Sequence, residues 1–337
     1  MPKETNRGIN LKHVLCAVDL SFSSFRALSR AIELADIYGA RLDVLHVLDA
    51  AATATTLLTS RRDDLLLHLR QMVEGLLDRP LSVNTFVAHG EPSSEILSYS
   101  RKHTSDLLII GSCLSRRARP FVDFGHTART LIAGARCPVL VVPEAKATAR
   151  GNAPKTVRHI VCAVSSVASR NTLKHAVSLA LKFEATLTIL QVLLRPNHNR
   201  RKTSSALRQL RGAIPESAYN SCRIDELVVY AAEAEAIPNE IIDRTRALNA
   251  DLLVVGFRRD FLSEDTRDAI VSSVVHNIAC DVLVVPAVAT AEQSTTSIPA
   301  SSDGARGEEV RDVVDQASYE SFPASDPPPW TLGFPSH

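Results

Sequence analysis

The strongest constraint on this chain is that its sequence occurs twice. Lys12-His13-Val14-Leu15-Cys16-Ala17-Val18-Asp19 returns as Arg158-His159-Ile160-Val161-Cys162-Ala163-Val164-Ser165, and Leu42-Asp43-Val44-Leu45-His46-Val47-Leu48 returns as Leu187-Thr188-Ile189-Leu190-Gln191-Val192-Leu193. Asp106-Leu107-Leu108-Ile109-Ile110-Gly111 comes back as Asp251-Leu252-Leu253-Val254-Val255-Gly256, and Cys137-Pro138-Val139-Leu140-Val141-Val142-Pro143 as Cys280-Asp281-Val282-Leu283-Val284-Val285-Pro286. Four blocks in one order, at offsets of 143 to 146, describe a tandem duplication. The expected organisation is a polar N-terminus (1–8), a first domain (9–143), a linker (144–156), a second domain (157–286) and a tail (287–337).

Within each unit, short aliphatic and β-branched runs alternate with helical patterns, the pattern of strands buried on both faces of a parallel sheet. In the first unit the strands fall near residues 13–19, 42–48, 83–88, 107–110 and 139–142. Phe25, Leu28, Ile32 and Ala35 mark the inner face of one helix, with Ser23 or Ser24 expected as its N-cap. Leu65, Leu69, Met72, Val73 and Leu76 mark a second helix, Pro92 opens a third with Ile96 and Leu97 inward, and a fourth runs over about 127–133. The fold class is therefore α/β: two tandem, doubly wound, five-stranded parallel-sheet domains, Rossmann-like, with ligands expected at the carboxyl ends of the strands. The second unit is weakest from Arg195 to Arg211, where Pro196 and a basic run interrupt the helical pattern. Without interleaved aromatics, that run reads as a solvated face or loop rather than a nucleic-acid patch.

Composition excludes several classes. A hydrophobic content of 45% with only 5% aromatics suits aliphatic cores. Basic residues number 38 against 37 acidic, a net charge of +1, so no whole-chain field points to nucleic acid or an acidic membrane. The tail from Thr290 holds eight acids and two bases, which puts it at −6 and the remainder at +7. Six cysteines with no CxxC pair argue against a disulfide scaffold and a zinc finger. The N-terminus lacks the apolar core of a signal peptide, and no run approaches the about 18 apolar residues of a membrane span, so the expected location is cytoplasmic. The Ser/Thr/Ala/Asp-rich tail, ending in Pro327-Pro328-Pro329-Trp330, is expected to be disordered.

Missing chemistry removes several nucleotide folds. Asp19-Leu20-Ser21-Phe22-Ser23-Ser24 has no glycine, so the first strand does not lead into a dinucleotide-binding turn. No GxxxxGK[ST] loop occurs. A receiver domain would want an acid cluster, a phosphoacceptor Asp and a Lys after its first, third and fifth strands; Ala88-His89-Gly90 and Pro143-Glu144 stand at the last two places.

At this point the chain resembles the universal stress protein family in its tandem form. The resemblance rests on strand one ending in Asp19, on Leu45-His46-Val47-Leu48-Asp49, Gly90-Glu91-Pro92, Asp106-Leu107-Leu108-Ile109-Ile110-Gly111-Ser112 and Gly125-His126-Thr127-Ala128-Arg129, and on Cys137 to Pro143. It implies that the two domains pair through their strand-five edges into an intramolecular pseudo-dimer, with further homo-oligomerisation and an unidentified protein partner left open. It also implies ATP or another adenine nucleotide as ligand, held by a loop of the form Gly-x2-Gly-x9-Gly-Ser/Thr after strand four, whose backbone and following helix N-terminus receive phosphate. Carried onto this chain, the site comprises Asp19, Val47, Gly111, Ser112, Gly125, His126 and Thr127. The motif is partial: Leu114 replaces the second glycine, ten residues stand where nine belong, and His126 precedes the hydroxyl residue Thr127. Arg116, Arg117 and Arg119 lie in the same loop and are either phosphate partners or solvated residues.

The second unit is more degenerate. Ser165 replaces the Asp, Phe257-Arg258-Arg259 follows Gly256, and Asp268-Ala269 fall where Gly-Ser/Thr should open the helix, so an acid there is expected to repel phosphate. Cys16, Cys162, Cys137 and Cys280 read as small core residues, leaving Cys113 as the thiol worth testing. The histidines show no ligand spacing, so no metal is expected, and no general base or nucleophile can be assembled. The expectation is a stress-response or signalling protein that is not an enzyme. A nucleotide-independent interaction module and a slow ATPase are the alternatives.

Overall fold

The computed structural model describes residues 9–49, 58–112, 126–143, 157–164, 170–194, 214, 216–257 and 264–286. The linker, the tail and the basic run 195–211 lie outside them. In chain order the first half consists of β1 (His13–Val18), α1 (Phe22–Tyr38), β2 (Arg41–Asp49), α2 (Leu58–Glu74), β3 (Val83–Gly90), α3 (Pro92–Lys102), β4 (Leu107–Ser112), α4 (His126–Gly134) and β5 (Val139–Pro143). The second half repeats the plan with β6 (His159–Val164), α5 (Arg170–Phe183), β7 (Thr186–Leu194), a short α6 (Glu216–Ser221) and β8 (Ile224–Ala231). A single 3-10 turn (Ala234–Ala236) then leads to α7 (Ile237–Ala247), β9 (Leu252–Phe257), α8 (Glu264–Asn277) and β10 (Asp281–Pro286).

All ten strands form one sheet in the order β3-β2-β1-β4-β5-β10-β9-β6-β7-β8. Neighbours within each half run parallel, whereas β5 and β10 meet antiparallel, with Val139, Leu140 and Val141 opposite Val284, Leu283 and Val282. The intramolecular pseudo-dimer expected from the resemblance is therefore present, and each half covers the other's apolar edge strand. Leu140 and Leu283 are repeat counterparts that face each other, so the pseudo-two-fold axis passes between them. One consequence is that the carboxyl ends of β1–β5 and of β6–β10 point to opposite edges of the sheet. A ligand site at the carboxyl ends of one half would therefore lie away from that of the other.

Helices cover both faces. Leu28, Leu69, Leu173 and Ala218 from α1, α2, α5 and α6 belong to one core layer, and Ile96, Leu131, Ile242 and Val274 from α3, α4, α7 and α8 to the other. A side chain as completely buried as Leu28 contributes roughly 1.5–3 kcal/mol relative to an exposed one. The repeated Asp at the start of β4 and β9 has a structural reason. Asp106 Oδ2 accepts the backbone N–H groups of Lys12 and His13 at 2.8 and 2.9 Å, and Asp251 Oδ2 accepts those of Arg158 and His159 at 2.9 and 3.2 Å. Each carboxylate thus satisfies two amides at the entry of its neighbouring strand.

The N-cap of α1 is Ser21, not Ser23 or Ser24. Asp19 Oδ1 accepts the Ser21 N–H at 3.0 Å, and Ser21 Oγ then accepts the Ser24 N–H at 3.2 Å. This local turn starts the helix two residues earlier than apolar spacing alone suggests, and buries Ser23 and Ser24 in its first turn. The third helix begins at Pro92 with Ile96 and Leu97 buried, as expected. Its cap is Glu91, which accepts the N–H groups of Ser93 and Ser94 at 3.0 and 2.7 Å.

Candidate functional site

The chain winds from β1 outward through β2 to β3 and then returns to lay β4 on the other side of β1. The carboxyl ends of β1 and β4 therefore flank the switch point of the first half, the place where an open α/β sheet leaves a crevice for a ligand. Asp19 directly follows β1, Val47 lies in β2, Gly111 and Ser112 end β4, and His126 and Thr127 open α4. These six predicted residues share one end of adjacent elements. Gly125 and the loop residues Cys113, Leu114, Arg116, Arg117 and Arg119 lie outside the described residues.

Asp19 is exposed. Burial pulls its carboxyl upward, but hydrogen bonds from Ser21 and Ser24 together outweigh it and hold the group below the usual carboxylate range. The site therefore offers a fixed negative charge with acceptor capacity left after the Ser21 contact. Leu20, with φ at +64°, takes the left-handed conformation that bends the chain from β1 into α1. Phe22 in the first turn of α1 is 49% exposed, an aromatic face beside the Asp19 turn. His46 Nδ1–H donates to the Val18 carbonyl at 2.8 Å and fixes the last turn of backbone before Asp19. Val47 is half-buried, Ser112 is buried in register with Pro143, and His126 is exposed as the first residue of α4. The first amides of α4 are without helical acceptors, so they supply the positive end of a helix dipole. Arg26, which sequence reasoning did not single out, reaches from α1 to donate to the Pro143 carbonyl at the end of β5. It ties α1 to the end of β5.

Gly111 has a second role that its motif position conceals. A Cβ there would stand 2.7 Å from the Ser23 carbonyl carbon, so β4 and α1 pack through the missing side chain. Its counterpart Gly256 repeats the arrangement, with a Cβ falling 2.7 Å from Thr172 Oγ1. Retention of this glycine in both halves thus follows from helix-on-sheet packing as well as from any ligand.

The second half departs from the first in two observable ways. α8 begins at Glu264, so Asp268 is its fifth residue rather than its first. Only the position is corrected: the helix runs back an extra turn, so Glu264 and Asp265, rather than Asp268, are the acids at its start, and the amide at 268 has an acceptor within the helix. Gln191 takes the place of His46, and its buried Oε1 has no hydrogen-bond partner. Ser165 and Arg258–Arg259 lie outside the described residues.

The remaining reactive-looking groups sit in the core or at the far end of the strands. Cys16 and Cys162 are fully buried, and desolvation pushes the Cys162 thiol up to about 12 and Cys16 well above its ordinary value. At the amino ends of β1–β3, Asp43 accepts from His13 Nε2 at 2.8 Å, Tyr99 Oη at 3.0 Å and Asn84 Nδ2 at 3.0 Å. The His103 ring stacks on Tyr99 with centroids 4.1 Å apart. The sequence signal for this network was an Asp inside an otherwise apolar strand. It lies opposite the crevice and is internally satisfied. Among the described residues, no three or more His, Cys, Asp or Glu side chains converge to hold a metal ion. No helix among them is long and apolar enough to cross a membrane.

Comparison with known proteins agrees with this architecture. Residues 10–143 and 156–286 each match the universal stress protein family. A universal stress protein of Methanocaldococcus jannaschii is 26% identical over 151 residues, covering 41% of this chain and 86% of that protein. One from Bacillus subtilis is 27% identical over 145 residues, covering 38% of this chain and 97% of its own length. The crystal structure of a universal stress protein from Archaeoglobus fulgidus superposes with a TM-score of 0.63 at 16% identity, covering 83% of this chain and all (100%) of that one. With the family matched in both halves and the ten strands closed across β5 and β10, the chain belongs to the universal stress protein family.

Proposed function

We propose that the first half binds an adenine nucleotide, ATP being the leading candidate, in the crevice between the carboxyl ends of β1 and β4, and that the second half serves as its structural partner. The observation that carries this reading is the position of Asp19: an exposed carboxylate, held ionised by Ser21 and Ser24, at the switch point of the first sheet. A carboxylate there accepts hydrogen bonds from ribose hydroxyls or an adenine amine, while the N-terminus of α4 receives phosphate. Val47 lies in the neighbouring strand, where its side chain gives the base an apolar contact. So read, the site binds nucleotide rather than turning it over. On this reading the protein is a cytoplasmic stress-response or signalling protein whose nucleotide state is the signal.

Small molecules released by denaturing freshly purified protein, separated by ion exchange with mass detection, test the assignment. Stoichiometric adenine nucleotide from the native chain, lost in Asp19→Asn, supports it. The Asn variant retains an oxygen for the Ser21 turn and removes only the charge, so its loss of ligand is not a folding defect. Empty protein that also gives no calorimetric signal with ATP overturns the assignment. That outcome would favour the second reading, a nucleotide-independent interaction module, which is motivated by the packing role of Gly111.

A further inference from the structure

We propose that the buried Arg30–Asp281 ion pair is a partner-selection device: it makes the first half accept the second half across the β5 edge and reject another copy of itself. Arg30 in α1 donates from Nε to Asp281 Oδ2 at 2.8 Å, with the two side chains 6% and 5% exposed. The contact bridges the halves beside the pseudo-two-fold axis, and Arg30 also pairs with Glu33 on its own helix. Around it lies a small apolar cavity lined by Leu34, Leu140, Leu179 and Leu283. A charge left unpaired in such a place costs far more than one at the surface.

The selection arises because the pair has no mirror image. By the repeat, the counterpart of Arg30 is His175 and the counterpart of Asp281 is Pro138, and both line the same cavity. One side of the axis therefore joins Arg30 to Asp281, and the other sets His175 near Pro138. Two copies of the first half, joined β5 to β5, would place each Arg30 against Pro138 in place of Asp281, leaving each guanidinium only the contacts of its own half, such as Glu33. The hydrogen-bonding edge does not discriminate, since β5 and β10 read Val-Leu-Val-Val-Pro alike. Selection matters most during synthesis, when the first half is complete and exposes an apolar edge before the second half exists.

The test uses the full chain with Leu140→Cys as reporter. Residue 140 faces 283 in the native pairing and would face residue 140 of another copy in a β5–β5 pairing. Arg30→Asp sets like charges across the native contact. It leaves Asp281 free to pair with His175 when two second halves associate. After refolding and mild oxidation, Arg30→Asp is expected to give severalfold more 140–140 cross-linked chain dimer than the unmodified pair, read on a non-reducing gel against chain lacking the reporter. The double swap Arg30→Asp with Asp281→Arg should return cross-linking to the native level. If Arg30→Asp fails to fold by circular dichroism, Asp281→Pro, which gives both halves the same residue, replaces it and carries the same expectation. Equal cross-linking in the charge variant and the unmodified pair, or a swap that does not restore selection, overturns the proposal.

Discussion

Gly111 and Ser23 touch through an absent side chain: a Cβ on Gly111 would lie 2.7 Å from the Ser23 carbonyl carbon and 2.8 Å from the Ser24 nitrogen. Both are backbone atoms inside the first turn of α1, so no rotamer change relieves the clash. Gly111→Ala should therefore destabilise the chain by about 1–3 kcal/mol. Gly256→Ala should cost less, because its nearest obstacle is the Thr172 hydroxyl. Urea midpoints of the two variants check the order, and equal values would mean that packing against α1 is not what retains Gly111.

That contact also marks the boundary of what the sequence could reveal. The two tandem five-stranded units and the buried Cys16 and Cys162 follow from repetition and apolar periodicity, which reports burial residue by residue, and the start of α3 follows from the proline at its first position. The N-cap at Ser21 did not follow, because it depends on Asp19 bending back to accept an amide two residues on. Asp268 was misplaced for a similar reason: a motif offset assumes equal helix starts, and α8 extends back to Glu264. Arg30 and Asp281 were visible as charges among apolar neighbours, yet their pairing needs the antiparallel join of β5 and β10, which spacing does not encode.

Asp43 separates stability from binding. It is 1% exposed and accepts from His13, Asn84 and Tyr99, at the strand ends opposite Asp19. Asp43→Ala leaves the buried His13 without its acceptor, while the half-buried Tyr99 and the exposed Asn84 can turn to water, and should cost about 1–3 kcal/mol. Below its melting temperature the variant should still hold nucleotide at the native ratio. Loss of nucleotide together with intact stability would place Asp43 in a binding role instead.

Gln191 is a flaw with a simple repair. Its side-chain carbonyl is buried without a partner, where His46 in the first half donates to Val18. Gln191→Met removes the orphan oxygen at nearly constant shape and should stabilise the chain by about 1 kcal/mol. Thermal melts at fixed protein concentration check this. A lower melting temperature would mean that the carbonyl serves a contact in solution.

Acid stability should depend on Glu91. Its carboxylate accepts from the hydroxyl and amide of Ser93 and from Ser94, and these hydrogen bonds hold it down to about 2, against an ordinary 4.5. A carboxyl depressed in the folded state contributes its stabilisation above about pH 4.5, and the contribution falls away as the pH drops toward 2. Glu91→Ala removes the cap of α3, at a cost of about 0.5–2 kcal/mol near neutrality, and leaves the orphan amides to water. The difference in stability between the native chain and the variant should be constant from pH 7 to about 5 and then narrow steadily as acid protonates the native cap. Urea unfolding of both proteins across that range measures it. A gap that stays constant down to about pH 3 would show that the cap acts without its charge, through geometry alone.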